Sequence, residues 1–261
     1  MTFAFALLLA AVHLLAPKIR NLPVVPRHAA TSFGGGIATA YVFLYLLPRL
    51  AEGNKAVADL FQERLSPTPL GNLLVFFVAL VGFFSAYALE RLTLGSERRE
   101  EVPEIGEEGE AYDRTEATRP IFTLQLLFFA GYSALITYTL PTKLGAGLIP
   151  ALLFAIAMAM HLVGTDQVLQ ERFHTRLTGR SRLVLATGAM VGWLVAVLLG
   201  AGSTLLINLL TAFLSGAILF NVVNDELPPS RHSSFAWFSI GLTLYAALLT
   251  AATYGLKLGA A

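Results

Sequence analysis

The segment MAMHLVGTDQVLQ, residues 158–170, places His161 and Asp166 in an otherwise apolar run headed by PALLFAIAMA. An ionisable group inside such a run is costly unless paired or hydrated, which makes it a functional position by default. Imidazole and carboxylate are also metal ligands. Five residues separate the two, about 140° round an ideal helix, so they cannot chelate one ion unless the helix is distorted near Gly164. A second polar group stands in NVVNDE, where Asn221, Asn224 and Asp225 at i, i+3 and i+4 share one helical face. Asp166 and Gln170 are likewise four apart. Carboxylate and amide oxygens suit hard cations such as Mg²⁺, Mn²⁺ or Ca²⁺. Plainer roles compete. Glu226, just before Leu-Pro-Pro, is expected to end its helix at the membrane interface. An imidazole between membrane helices also simply bonds across the interface, worth about 1 kcal/mol. His13 and His28 near span ends, and His174 and His232 in loops, are assigned such structural roles.

The elements that must position these groups are membrane spans. Of 261 residues, 56% are hydrophobic and 13% charged, against roughly 25% charged in soluble domains. Apolar runs long enough to cross a bilayer as helices recur along the chain. The expected fold is an all-α polytopic membrane protein, a single transmembrane domain over residues 1–261. Its eight spans fall at about 3–16, 29–48, 69–91, 120–141, 147–169, 182–200, 204–224 and 234–255. No charge precedes the first run, unlike the basic start of a cleaved leader, so it is read as a retained helix. With that end outside, 13 of the 18 Lys and Arg fall in cytoplasmic segments, as the positive-inside rule requires. Both termini are therefore expected on the outer side, in a plasma (inner) membrane. A net charge of +1 with only small basic clusters excludes a nucleic-acid partner, and zero cysteines exclude disulfides and thiolate ligands.

The long segment at 94–119 is acidic, holds Pro and Gly, and is expected to be a disordered cytoplasmic loop. A repeat is more informative. FGGGIATAYVFLYLLP (33–48) and FLSGAILFNVVNDELP (213–228) share Phe, a Gly at 36 and 216, and a closing Leu-Pro at an offset of 180. The charge count gives these spans opposite orientations, which is how an inverted repeat reads in sequence; transporters build mid-membrane sites between such halves.

SGAILFNVVNDELPP, GGGIATAYVFLYLLP and AMAMHLVGTDQVL resemble the seventh, second and fifth helices of bacterial ZIP (ZRT/IRT-like) metal transporters. The resemblance implies a 3+2+3 arrangement and a divalent-cation path between helices two, four, five and seven. It implies His161, Asp166, Asn221 and Asp225 as metal-binding residues, with Tyr45, Ser133, Thr165, Gln170 and Asn224 along the path. The family's fourth and fifth helices each carry His and, four residues on, a carboxylate. Here Phe129 and Ser133 take those places on helix four, and Thr165 stands four residues after His161. The expected function is transport of a divalent ion (Zn, Mn, Fe or Mg) as substrate, with no tightly bound cofactor. The alternative is a ZIP-fold protein without transport that binds a partner or ligand in the vestigial site. An enzyme is not expected, since G-x-S-x-G and H-E-x-x-H are both absent. The expected partners are the lipid bilayer and a divalent cation, and a homodimer is compatible with the sequence.

Overall fold

A computed structural model describes residues 1–20, 27–64, 73–101, 114–173, 176–200, 202–226 and 234–258; among them there are helices and no strands. In chain order the helices are α1 (Thr2–Arg20), α2 (Arg27–Tyr41), α3 (Leu47–Arg64), α4 (Leu74–Glu101), α5 (Arg114–Tyr138) and short α6 (Leu140–Gly145). They continue as α7 (Leu148–Arg172), α8 (Gly179–Leu199), α9 (Thr204–Asn221) and α10 (Phe235–Leu258). A π-helical turn, Val42–Leu46, joins α2 to α3, and a second, Val222–Glu226, extends α9. Seven stretches are long and apolar enough to cross a membrane, and Thr2–Lys18 is a shorter apolar helix. The chain is an all-helical integral membrane protein. Helices suit that setting because each satisfies its backbone hydrogen bonds internally.

Burial divides the helices into a centre and a rim. The α2–α3, α5 and α9 segments are at least half buried, whereas α4, α8 and α10 present apolar surface outward. Phe76, Phe77, Leu80 and Phe84 of α4 are exposed, as are Ile240, Leu244 and Leu248 of α10. Such a surface is costly in water and suited to lipid.

Two boundaries differ from expectation. Span two was expected to end near residue 48, but helix continues through Pro48 to Arg64. Proline has no N–H to donate and would ordinarily disrupt a helix. Here the π turn immediately before it widens the coil, with the Leu47 N–H bonded to the Val42 carbonyl five residues back. The second π turn lies at an offset of 180 from the first and likewise precedes a Leu-Pro pair, residues 227–228, which lie outside the described residues. The acidic loop is shorter than expected at both ends, since 94–101 and 114–119 are helical. Once nucleated in the apolar spans, a helix extends at one bond per added residue. The remainder of that loop, 102–113, lies outside the described residues.

Glycines interlock the spans in a repeating pattern. A Cβ on Gly36 would lie 2.1 Å from the Phe238 carbonyl oxygen and 2.6 Å from the Leu242 nitrogen, so α2 and α10 meet backbone to backbone. A Cβ on Gly216 would lie 1.8 Å from the Ala79 oxygen and 2.9 Å from the Phe83 nitrogen, so α9 meets α4 in the same way. In return, Gly241 faces the Phe33 oxygen and Gly82 faces the Phe213 oxygen. The residues named in the α2–α10 contact thus map onto those named in the α9–α4 contact, at offsets of 180 for the first helix and 159 for the second. Gly188 and Gly192 of α8 pack as closely on Ala130 and Ala134 of α5. Thr137 reinforces that contact by donating to the Ala189 carbonyl at 2.6 Å.

Candidate functional site

Asp166 is buried and paired. It forms an ion pair with Arg182, near the start of α8, and both side chains are buried. The same guanidinium donates to Gln170 Oε1 at 2.8 Å and to the His13 carbonyl at 3.2 Å. Arg182 therefore ties α7, α8 and α1 together. The local sequence explains its place: Thr178 caps α8 by accepting from the Ser181 N–H, which sets Arg182 in the first turn. Asp166 and Gln170, one turn apart on α7, then present two acceptors to one planar donor fork, the geometry for which guanidinium is suited. Nearby, Arg172 pairs with both carboxylate oxygens of Glu90, one at 2.6 Å, linking α7 to α4.

His161 is buried one turn deeper, its Nε2 2.7 Å from the Tyr132 hydroxyl of α5. Thr165 is buried beside it and donates to the His161 carbonyl at 3.1 Å, bonding along its own helix. Ser133 is not a neighbour of His161 in this network; its hydroxyl meets His13 Nε2 at 3.0 Å. Phe129 packs in an aromatic group with Phe128 and Tyr132. Phe129 and Ser133 thus make an apolar contact and a link to α1.

On α9, Asn221 is buried, and its Nδ2 has no hydrogen-bond partner among the described residues. A buried amide nitrogen left unsatisfied is costly, which marks the position for water, a ligand or a second conformation. Asn224 is half-buried in the π turn and holds a polar interaction. Asp225 lies in the same turn, but its side chain is outside the described residues. Tyr45, in the first π turn, is stacked on Tyr41 with ring centroids 5.2 Å apart. Offset 180 pairs Tyr41 and Tyr45 with Asn221 and Asp225, so each repeat carries polar groups at a matching break in its helix.

The expected site residues therefore divide into two groups. Asp166 and Gln170 come together around Arg182, whereas His161 and Ser133 are drawn to separate partners. Among the described residues no group of three or more His, Cys, Asp or Glu is placed to hold a metal ion. Sequence reasoning missed Arg182 and Tyr132, whereas His13 takes the kind of structural role expected of it, bonding across helices to Ser133. Arg182 was counted as a cytoplasmic charge. The available signal was its position, four residues after the cap Thr178 and one turn into an apolar helix. No protein-family model matches the chain and no curated protein matches it, so its function rests on the geometry just described.

Proposed function

We propose that the chain is an eight-span, ZIP-like membrane transporter in a 3+2+3 arrangement, with α1 as the first span, both termini on the outer side and the plasma (inner) membrane as its location. Its two halves form an inverted repeat, and a divalent cation passes between spans two, four, five and seven. One observation carries the reading: the paired π turns at offset 180, each flanked by the same glycine interlock. Interrupted helices at matching positions of two repeats are where transporters of this kind place their sites, and π turns collect at functional positions. The oxygen donors Asp166, Gln170, Asn221 and Asn224 sit on α7, α9 and the second π turn. For a cation to use Asp166, Arg182 must leave it, so the guanidinium acts as a built-in competitor at one end of the path.

The Asp166–Arg182 pair equally favours a second reading: a ZIP-like protein that no longer moves ions and binds a partner or ligand instead. Uptake by reconstituted vesicles of Zn²⁺, Mn²⁺, Fe²⁺, Mg²⁺ and Cd²⁺ separates the two. Transport predicts flux for at least one ion, reduced in folded Asp166→Asn and Asn221→Leu variants. A parent that moves none of them in any gradient ends the transport reading and leaves the binding one.

A further inference from the structure

Away from the Asp166 network, a partly open cavity of about 390 Å³ lies between the α2–α3 segment, the end of α6, α7 and α10, within the range of small-molecule pockets. Its walls are aromatic and apolar, including Tyr41, Tyr45, Phe154 and Tyr245, and one cation, Arg49, stands among them. A second cation lies behind the rings. Lys143 of α6 is 8% exposed, with its Nζ 5.1 Å from the Tyr45 ring centroid and 5.5 Å from that of Phe154. Among the described residues no carboxylate pairs with Lys143. Ring faces attract an ammonium but do not replace its hydration, so a buried lysine held this way lacks a counter-charge. Arg49 lies over the same Tyr45 ring at 5.8 Å, and its carboxylate partner Glu52 is an exposed neighbour three residues on, the weak kind of pair that an incoming anion can displace.

We infer that this cavity binds an anionic amphiphile: a single carboxylate or phosphate held by Arg49 beside Tyr45, with the Lys143 charge behind the Tyr45 and Phe154 rings adding to the attraction, and with its apolar body against Phe154 and Tyr245. The Tyr245 hydroxyl is already bonded to the Leu153 carbonyl at 2.8 Å, which leaves the ring as an apolar wall. Two cations at one end repel a metal ion, and a neutral solute gains nothing from them. The cavity lining includes neither Asp166 nor Asn221, although it shares Tyr45 with the expected cation path.

Two sources supply this chemistry, a free fatty acid and an anionic lipid. The test is the melting temperature of purified protein in detergent, followed by circular dichroism during titration with dodecanoate, dodecanol, phosphatidylglycerol or phosphatidylcholine. A saturable rise is expected with dodecanoate, phosphatidylglycerol or both, and none with dodecanol or phosphatidylcholine. Dodecanoate alone identifies the free acid, and phosphatidylglycerol alone the lipid. Arg49→Gln should weaken apparent affinity about tenfold, the loss of one charge-assisted contact, and Lys143→Gln, which removes a charge behind the rings, about threefold. Ala252→Phe, filling the cavity from its apolar wall without touching either charge, should abolish the rise even if a charge variant fails to fold. No rise with either anion, an equal rise with dodecanol, or parental affinity in the folded variants overturns the assignment.

Discussion

Arg182→Met is the most informative single change. The methionine keeps much of the length of the arginine stem but removes the donor fork that serves Asp166, Gln170 and the His13 carbonyl. Breaking a buried ion pair from one side costs roughly 3–5 kcal/mol because the remaining charge is stranded. The two neutral acceptors add about 1 kcal/mol each, which puts the expected loss at the top of that range or above it, about 5–7 kcal/mol. Asp166→Asn also strands the buried guanidinium, but the amide oxygen still accepts and Arg182 keeps its other two partners, so a loss at the lower end, about 3 kcal/mol, is expected. In Asp166→Asn/Arg182→Met no charge is stranded, so the double variant should be more stable than the sum of the two single losses predicts, by about 2 kcal/mol or more. Reversible unfolding in mixed micelles, followed by far-ultraviolet circular dichroism, measures all of these. If Arg182→Met unfolds like the parent, or the double variant shows simple additivity, the arginine does not hold the three helices together.

Further outcomes follow from the packing and the ligand inventory. Gly216→Ala and Gly36→Ala place a methyl 1.8 Å and 2.1 Å from a backbone oxygen, so each should cost about 1–3 kcal/mol or more in the same unfolding assay. Gly95→Ala, with nothing within 4 Å, should leave unfolding almost unchanged. Tyr132→Phe removes the 2.7 Å bond to buried His161, and a loss of about 1–3 kcal/mol is expected. With Phe129 and Ser133 on helix four, calorimetry in detergent should not detect two zinc ions per chain at submicromolar affinity; finding them, and losing them on His161→Ala, would refute the assigned ligand loss.

The apolar spans were legible because transfer to hydrocarbon is a sum over a window, which sequence alone supplies. The half-repeat around Gly36 and Gly216 was legible for a similar reason, since both helices keep Phe, Gly and Leu-Pro in register. Its counterpart around Gly82 and Gly241 was not, because those helices keep the glycine while Ala79 and Phe83 become Phe238 and Leu242. The helical run Leu47–Arg64 was hidden by its charges, which look like loop when the proline before them is taken as a stop. Among the site residues, His161 and Asp166 announced themselves by polarity in an apolar run. Their partners did not: Tyr132 is an ordinary aromatic in its helix, and Arg182 is one basic residue in a basic connection. Which ionisable groups meet is decided by helix packing, not by spacing along the chain.

The glycine contacts also impose an order on synthesis. Two of the interlocked pairs each take one helix from the first half of the chain and one from the second, α2 with α10 and α9 with α4. A ribosome delivers α2 long before α10 exists, so the bare backbone face around Gly36 must wait in the bilayer for the last helix to arrive. Neither half can mature as a unit on its own, and a chain interrupted before residue 235 leaves α2 without its mate however well the earlier helices have inserted. Long-range pairing of this kind slows assembly and exposes unfinished surfaces while it proceeds. Quality control in the membrane therefore has one late event to monitor: the closing of α10 onto α2.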